Sequence, residues 1–260
     1  MIPERRTIWE GVYDTFDQAS GDSGVFEGSV WLGKVVDRAD RAAELSHSAN
    51  YVAPIAQSND YVLPVVAALI ADHARPIRIL DFGGGLAASY LPMRAMLPQR
   101  SSIEFVVVEN EAVCREGRKR FAASDAISFR TELPTGESFD IVHFGSSLHY
   151  VEAWDDLLRS VAAYDPHYLI FAELPAGDNI GFVTTQSYYG SRIPVRFWNA
   201  KEFVDFVASL GFDLLLKARY RGYWLGKDEE LPTDNFEERY RLRYMCQFLF
   251  RRHGLVTTSL

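Results

Sequence analysis

The sequence predicts an α/β protein built on a doubly wound, parallel sheet. Three observations carry that prediction. Short, nearly all-apolar runs recur along the middle of the chain: "IRILDF" (77–82), "IEFVVVE" (103–109), "AISFR" (126–130), "FDIVHFGS" (139–146) and "HYLIFAEL" (167–174). Runs of this kind mark strands buried on both faces. Helical-period segments separate most of them, as right-handed parallel crossovers require. Glycines and acids fall at the ends of the runs, where such sheets bind ligands.

Each element has its own justification. The opening "IWEGVYDTFDQASGDSGVFEG" mixes aromatics with turn formers and reads as an ordered irregular segment or short helices. Residues 30–45 have helical potential. "DYVLPVVAALIADH" (60–73) has helical spacing, with Pro64 near its start or at a kink. "LAASYLPMRAML" (86–97), "EAVCREGRKRFAA" (111–123) and "AWDDLLRSVAAY" (153–164) are the crossover helices. Beyond 175 the pattern loosens. "PAGDNIGFVTTQSYYGSRIPVRFWN" reads as a long connection, a candidate lid over an acceptor. "AKEFVDFVASLG" (200–211) is an amphipathic helix stopped by Gly211. "FDLLLKARYRGYW" (212–224) and "RYMCQFLFRR" (243–252) are two last strands, joined by an acidic excursion. The expected organisation is an N-terminal extension over residues 1–59, capping the cleft, and a main domain over 60–260.

Composition narrows the function classes. The chain has 260 residues, 48% of them apolar, and a formal net charge of -8. That balance disfavours a nucleic-acid partner, which needs concentrated positive surface. The basic run "RYRLRYMCQFLFRRHG" reads better as a strand with solvated arginine ends than as a patch. Two cysteines, Cys114 and Cys246, make no zinc spacing, and His73, His167 and His253 are scattered, so no metal site is expected. No secretory signal and no membrane-spanning stretch is visible, and the expectation is a soluble, cytoplasmic protein with a small-molecule substrate. Oligomeric state is not readable.

The stretch "RILDFGGGLAASY" (78–90) carries the chemistry. Bare glycine backbone lets a ligand approach closely, and the following helix offers free N–H groups. Gly83, Gly85 and Ala88 satisfy the loose dinucleotide pattern, a weak match alone. Asp81, at the strand end beside the glycines, repels a pyrophosphate and suits an ammonium or sulfonium. Glu109, ending the next strand, suits the hydroxyls of a ribose. Glu132 or the Leu133 backbone is placed to meet an adenine ring.

Taken in order, "ILDFGGG", "VVVEN", "RTELP" and "FDIVHFGSSLHYV" resemble the class I S-adenosylmethionine-dependent methyltransferases over about residues 77–151. The resemblance implies a seven-stranded Rossmann-like sheet with an antiparallel last strand. It implies S-adenosyl-L-methionine as cofactor and S-adenosyl-L-homocysteine as product. By position it implies a cofactor set of Asp81, Gly83, Gly84, Gly85, Glu109, Asn110, Glu132, Leu133, Gly145 and Ser146. The flanks "WEGVYDTFDQA", "SSLHYVEAW" and "FVTTQSYYGSRIPVRFWNAKEFVDFVASLGFDLL" look like a narrower methyltransferase family associated with bacterial surface-polysaccharide biosynthesis. That likeness implies a sugar or nucleotide-sugar hydroxyl as acceptor. The chain departs from it at Glu173, followed by "LPAGD", where an arginine-containing stretch is expected.

A hydroxyl acceptor benefits from a base. His149, just after the fourth strand, is the preferred candidate, and Glu173 is the second. His143, inside that strand, reads as a core histidine. Tyr150, Gln186, Tyr188, Tyr189, Trp9 and Tyr13 are candidate acceptor contacts, each with a plain packing role as its alternative. No strained nucleophile elbow surrounds Ser146 and Ser147. Two rival functions stay open at this point: an NAD-dependent oxidoreductase, and a non-catalytic, cofactor-binding partner subunit of a methyltransferase complex.

Overall fold

In the computed structural model, residues 7–47, 61–71, 75–97, 101–220 and 230–254 are described. The chain enters through a strand, β1 (Trp9–Tyr13), then α1 (Phe16–Ala19) and a long helix, α2 (Ser29–His47). Thr15 caps α1 by accepting from the Gln18 amide at 3.3 Å. The expected irregular or helical opening is therefore corrected to strand at 9–13. The reason is non-local: its partner is a strand about 170 residues later, and nothing in the local pattern reveals that pairing. Residues 30–45, read as helical, lie inside α2, which buries Val35 and Ala39 in the core.

The middle of the chain alternates as expected. It runs α3 (Val62–Ile70), β2 (Ile77–Phe82), α4 (Tyr90–Met96), β3 (Ile103–Val108), α5 (Glu111–Arg120), β4 (Ile127–Arg130), β5 (Ile141–Gly145), α6 (Trp154–Ala162) and β6 (Tyr168–Leu174). β2 is buried on both faces beyond the half-buried Arg78, which explains why its sequence is otherwise apolar before Asp81. α4 starts at Tyr90 rather than near Leu86, because the glycine turn runs on through Ala87, whose φ is +55°.

The segment after β6 departs from expectation. The predicted long connection is instead β7 (Ala176–Gly177), β8 (Phe182–Tyr188) and β9 (Ser191–Asn199), followed by α7 (Ala200–Ser209), β10 (Phe212–Tyr220) and β11 (Met245–Arg252). β8 and β9 form a hairpin closed at Tyr189 and Gly190, with φ of +48° and +92°. Positive φ at both turn positions matches the twist of the flanking strands. With β1 and β7 the hairpin makes a four-stranded sheet of order β1-β8-β9-β7. The last part of the strand expected over 212–224, residues 221–224, lies outside the described residues.

The main sheet has seven strands in the order β10-β11-β6-β5-β2-β3-β4. β2, β3, β4, β5 and β6 run parallel, and β11 is antiparallel to both β6 and β10. α2, α3 and α4 contribute to the core on one face, while α6 and α7 cover the other. Strand order reverses at β2 and β5, so their carboxyl ends open a crevice at the topological switch point. Cys114 and Cys246 are both buried and free. Among the described residues, no helix is long and apolar enough to cross a membrane.

Candidate active site

The switch point places Asp81 of β2 opposite His143 of β5 in the strand register. Both are buried, and His143 Nδ1 lies 2.8 Å from Asp81 Oδ1. The Ser89 hydroxyl donates to Asp81 Oδ2 at 2.5 Å. A buried carboxylate is tolerable only when paired in this way.

The glycines are there to keep the space over this carboxylate open. A Cβ on Gly84 would collide with the Asp81 carboxylate, and one on Gly83 would collide with Ser147. Gly83 also needs a φ of +68°. Its amide donates to the Val108 carbonyl at 2.9 Å, hooking the turn to the end of β3.

Glu109 follows β3 and accepts from the amides of Asn110 (2.9 Å) and Gly85 (3.3 Å). Burial pushes its carboxyl above the usual range, against the pull of those two donors. Asn110 caps α5 by accepting from Val113 at 3.0 Å. Its side-chain amide also donates to the Phe26 carbonyl at 2.9 Å, which ties the N-terminal segment to this strand end.

Two non-glycine residues take left-handed backbone at neighbouring strand ends. They are Ser146 after β5 (φ +59°) and Glu173 in β6 (φ +55°). Such conformations cost about 1–3 kcal/mol each and cluster at functional sites. Together with Asp81, the glycine turn, His143 and Gly145 they line a cavity of about 290 Å³. α2 supplies Trp31, Val35, Arg38 and Arg41 to the same cavity.

The remaining predicted site residues lie elsewhere. His149 sits in a 3-10 turn, Leu148–Tyr150, and is 2% exposed. Burial pulls its pKa down to about 3, so the imidazole is neutral, and its Nδ1 has no partner among the described residues. Its ring packs 4.1 Å from that of Tyr150. The Tyr150 hydroxyl donates to Gln186 Oε1 at 3.2 Å, and burial raises its pKa well above the ordinary value. Tyr188 is likewise raised by burial, and Glu173 and Arg38 act electrostatically on both tyrosines. Phe26, Trp31, Tyr150 and Tyr188 form one aromatic cluster. Tyr189 is exposed beside Lys34.

Glu109, Asn110, His149, Tyr150, Gln186 and Tyr188 are not among the residues lining the cavity. Glu132 is exposed, and Leu133 packs against the core beneath α6 and α7. Trp9 is fully buried against Phe197 of the small sheet, and Tyr13 packs with Phe16. His143, read as a core histidine, is buried and also lines the cavity. Ser89, Trp31, Arg38 and Arg41 were missed. The available signal was the helical spacing of Trp31, Val35, Arg38 and Ala42, which puts them on one face. Among the described residues there is no cluster able to hold a metal ion.

No family model matches the sequence, and no curated protein matches it. Solved structures do. A chain of the complex built around the Haloferax volcanii Trm112 methyltransferase activator matches with a TM-score of 0.54 at 15% identity, covering 87% of this chain and 95% of its own length. The magnesium protoporphyrin IX methyltransferase of Synechocystis, solved with bound S-adenosylhomocysteine, matches with a TM-score of 0.51 at 14% identity, covering 89% and 100%. The fold is that of the S-adenosylmethionine-dependent methyltransferases. An S-adenosylmethionine-dependent methyltransferase from Clostridium acetobutylicum shares it, with a TM-score of 0.50 at 10% identity over 86% of this chain and 98% of that one. The seven-stranded sheet with its antiparallel β11, expected from the resemblance, is thus observed.

Proposed function

We propose that this chain is an S-adenosylmethionine-dependent methyltransferase acting on a small polar acceptor. The observation that carries the reading is the buried Asp81 carboxylate beneath the glycine turn, in a cavity at the switch point. A negative group there fits the ammonium and sulfonium of the methionine part and disfavours a pyrophosphate. The space a Cβ would fill at Gly83 and Gly84 fits close approach of the same group. Glu109, at the end of the next strand, is assigned to the ribose, with Asn110 beside it. Gly85, Gly145 and Ser146 complete the contacts, and Glu132 or Leu133 is assigned to the adenine side.

The cofactor, when bound, supplies an electrophilic methyl group on a good leaving group. The chain then has to orient the acceptor, exclude water and remove a proton. An acceptor hydroxyl taking up that methyl group would release its proton, so the chain's own part would be to hold the hydroxyl and receive the proton at a base. Glu173 lines the cavity and is assigned to the acceptor side. Its strained backbone and its electrostatic coupling to Tyr150 and Tyr188 support that role. His149 is the second candidate base, and unchanged turnover in His149→Ala removes it. Tyr150, Gln186, Tyr188 and Tyr189 are assigned to the acceptor, and the N-terminal extension (1–59) to capping the cleft, with Trp9 and Tyr13 as its packing anchors against Phe197 and Phe16. Aromatic and hydroxyl groups in one cluster suit a sugar or nucleotide sugar, and with it a role in surface-polysaccharide biosynthesis in the cytoplasm.

The test is calorimetric titration with S-adenosylhomocysteine, beside NAD, on the wild type, Asp81→Ala and Glu109→Ala. The expected result is binding of S-adenosylhomocysteine that both substitutions weaken at least about tenfold. Preference for NAD, or no binding of either, overturns the proposal. Nucleotide sugars are then the first acceptors to screen.

A further inference from the structure

Four strands form the edges of the two sheets: β4 and β10 in the large one, β1 and β7 in the small one. Three of these edges are poor templates for a further strand. β4 has four residues and β7 has two, while β1 shifts register between Glu10 and Tyr13. Short and irregular edges resist pairing with another chain. β10 is different. It has nine residues, every one from Asp213 to Lys217 is exposed, and among the described residues only β11 pairs with it. Leu214, Leu215 and Leu216 are 39%, 45% and 36% exposed. A single exposed leucine needs no explanation, but three in succession on an open edge strand mark a surface for pairing.

The row is self-complementary. The register with β11 skips Leu215, which is the extra residue of a bulge. Outward from Leu215 come Leu214 and Leu216, then Asp213 and Lys217, of opposite charge. Lys217 has no ion-pair partner among the described residues. Asp213 meets His253 at 3.0 Å, with both side chains more than half exposed.

We propose that β10 pairs antiparallel with β10 of a second copy of this chain, about a two-fold axis at Leu215. That axis sets Leu214 against Leu216 of the partner subunit and Asp213 against Lys217 of the partner subunit, and symmetry repeats both contacts. Parallel pairing in register would instead oppose like charges. Nine residues span about 30 Å, so the contact lies at the small end of stable interfaces, and a dissociation constant in the micromolar range is expected. The pairing does not depend on what the cavity binds.

Sedimentation velocity between about 1 and 100 µM tests it on the wild type, Leu215→Glu, Asp213→Lys, Lys217→Asp and an equimolar mixture of the last two. All three positions are exposed, and circular dichroism checks that the variants fold. The wild type should pass from monomer to dimer across that range. Each variant alone should dimerise at least about tenfold more weakly, because the two-fold axis sets every new charge against a like one. In the mixture each lysine faces an aspartate, and heterodimers should form within about threefold of the wild-type affinity. A wild type that stays monomeric throughout overturns the proposal and leaves the edge to a chain of another sequence. A dimer that none of the substitutions weakens, or a mixture that stays monomeric, overturns it as well.

Discussion

Asp81 and His143 stand side by side on adjacent parallel strands, in register, with their polar atoms 2.8 Å apart and both side chains out of solvent. This pair floors the cavity, and the sequence separates its members by 62 positions. Their interaction should be measurable as a coupling. In urea denaturation, Asp81→Asn, His143→Ala and the double variant should give a coupling energy of about 1–3 kcal/mol. Strictly additive losses would mean that the two side chains are stabilised independently.

Gly84 tests the space above that pair. Gly84→Ala puts a methyl group onto the Asp81 carboxylate. It should weaken S-adenosylhomocysteine binding by an order of magnitude or more, while Gly136→Ala, at an exposed position with nothing around its Cβ, should leave binding unchanged. Because φ at Gly136 is +70°, that control should cost stability and not affinity.

Glu173 should show a trade between stability and activity. Its φ of +55° is strained for a side chain and relaxed for glycine. Glu173→Gly should therefore lose less stability than Glu173→Ala, by about 1 kcal/mol, in denaturant titrations. Both variants should lose acceptor methylation. A glycine variant less stable than the alanine variant would show that the left-handed backbone carries no strain.

His149 sets an acid-side dependence of stability. Burial holds its pKa at about 3 in the folded chain, against an ordinary 6.5. Between those values the unfolded chain binds a proton that the folded chain refuses. Stability is thus fully present above pH 6.5 and declines as pH falls toward 3, by up to about 1.4 kcal/mol per pH unit. His149→Gln should flatten the change in urea midpoint between about pH 7 and pH 5. Identical slopes in the variant and the wild type would exclude this origin.

What the sequence determined by itself was local and periodic. The apolar runs at 77–82, 103–109 and 167–174 specify buried strands because they lack the polar alternation that a solvent-facing side of a sheet would require. Asp81, the glycines and Glu109 were legible as strand-end residues because strand-end position follows from chain order alone. What only the tertiary structure decided depends on partners distant in sequence. β1 is a strand because β8 offers it an edge, and the segment after β6 is a hairpin because it has that neighbour to pair with. His143 meets Asp81 because register between two strands, not the residues near either one, sets which side chains face each other. α2 brings Arg38 and Arg41 to the glycine turn because its Val35–Ala39 face buries in the core, an association free energy that exists only once the sheet has formed.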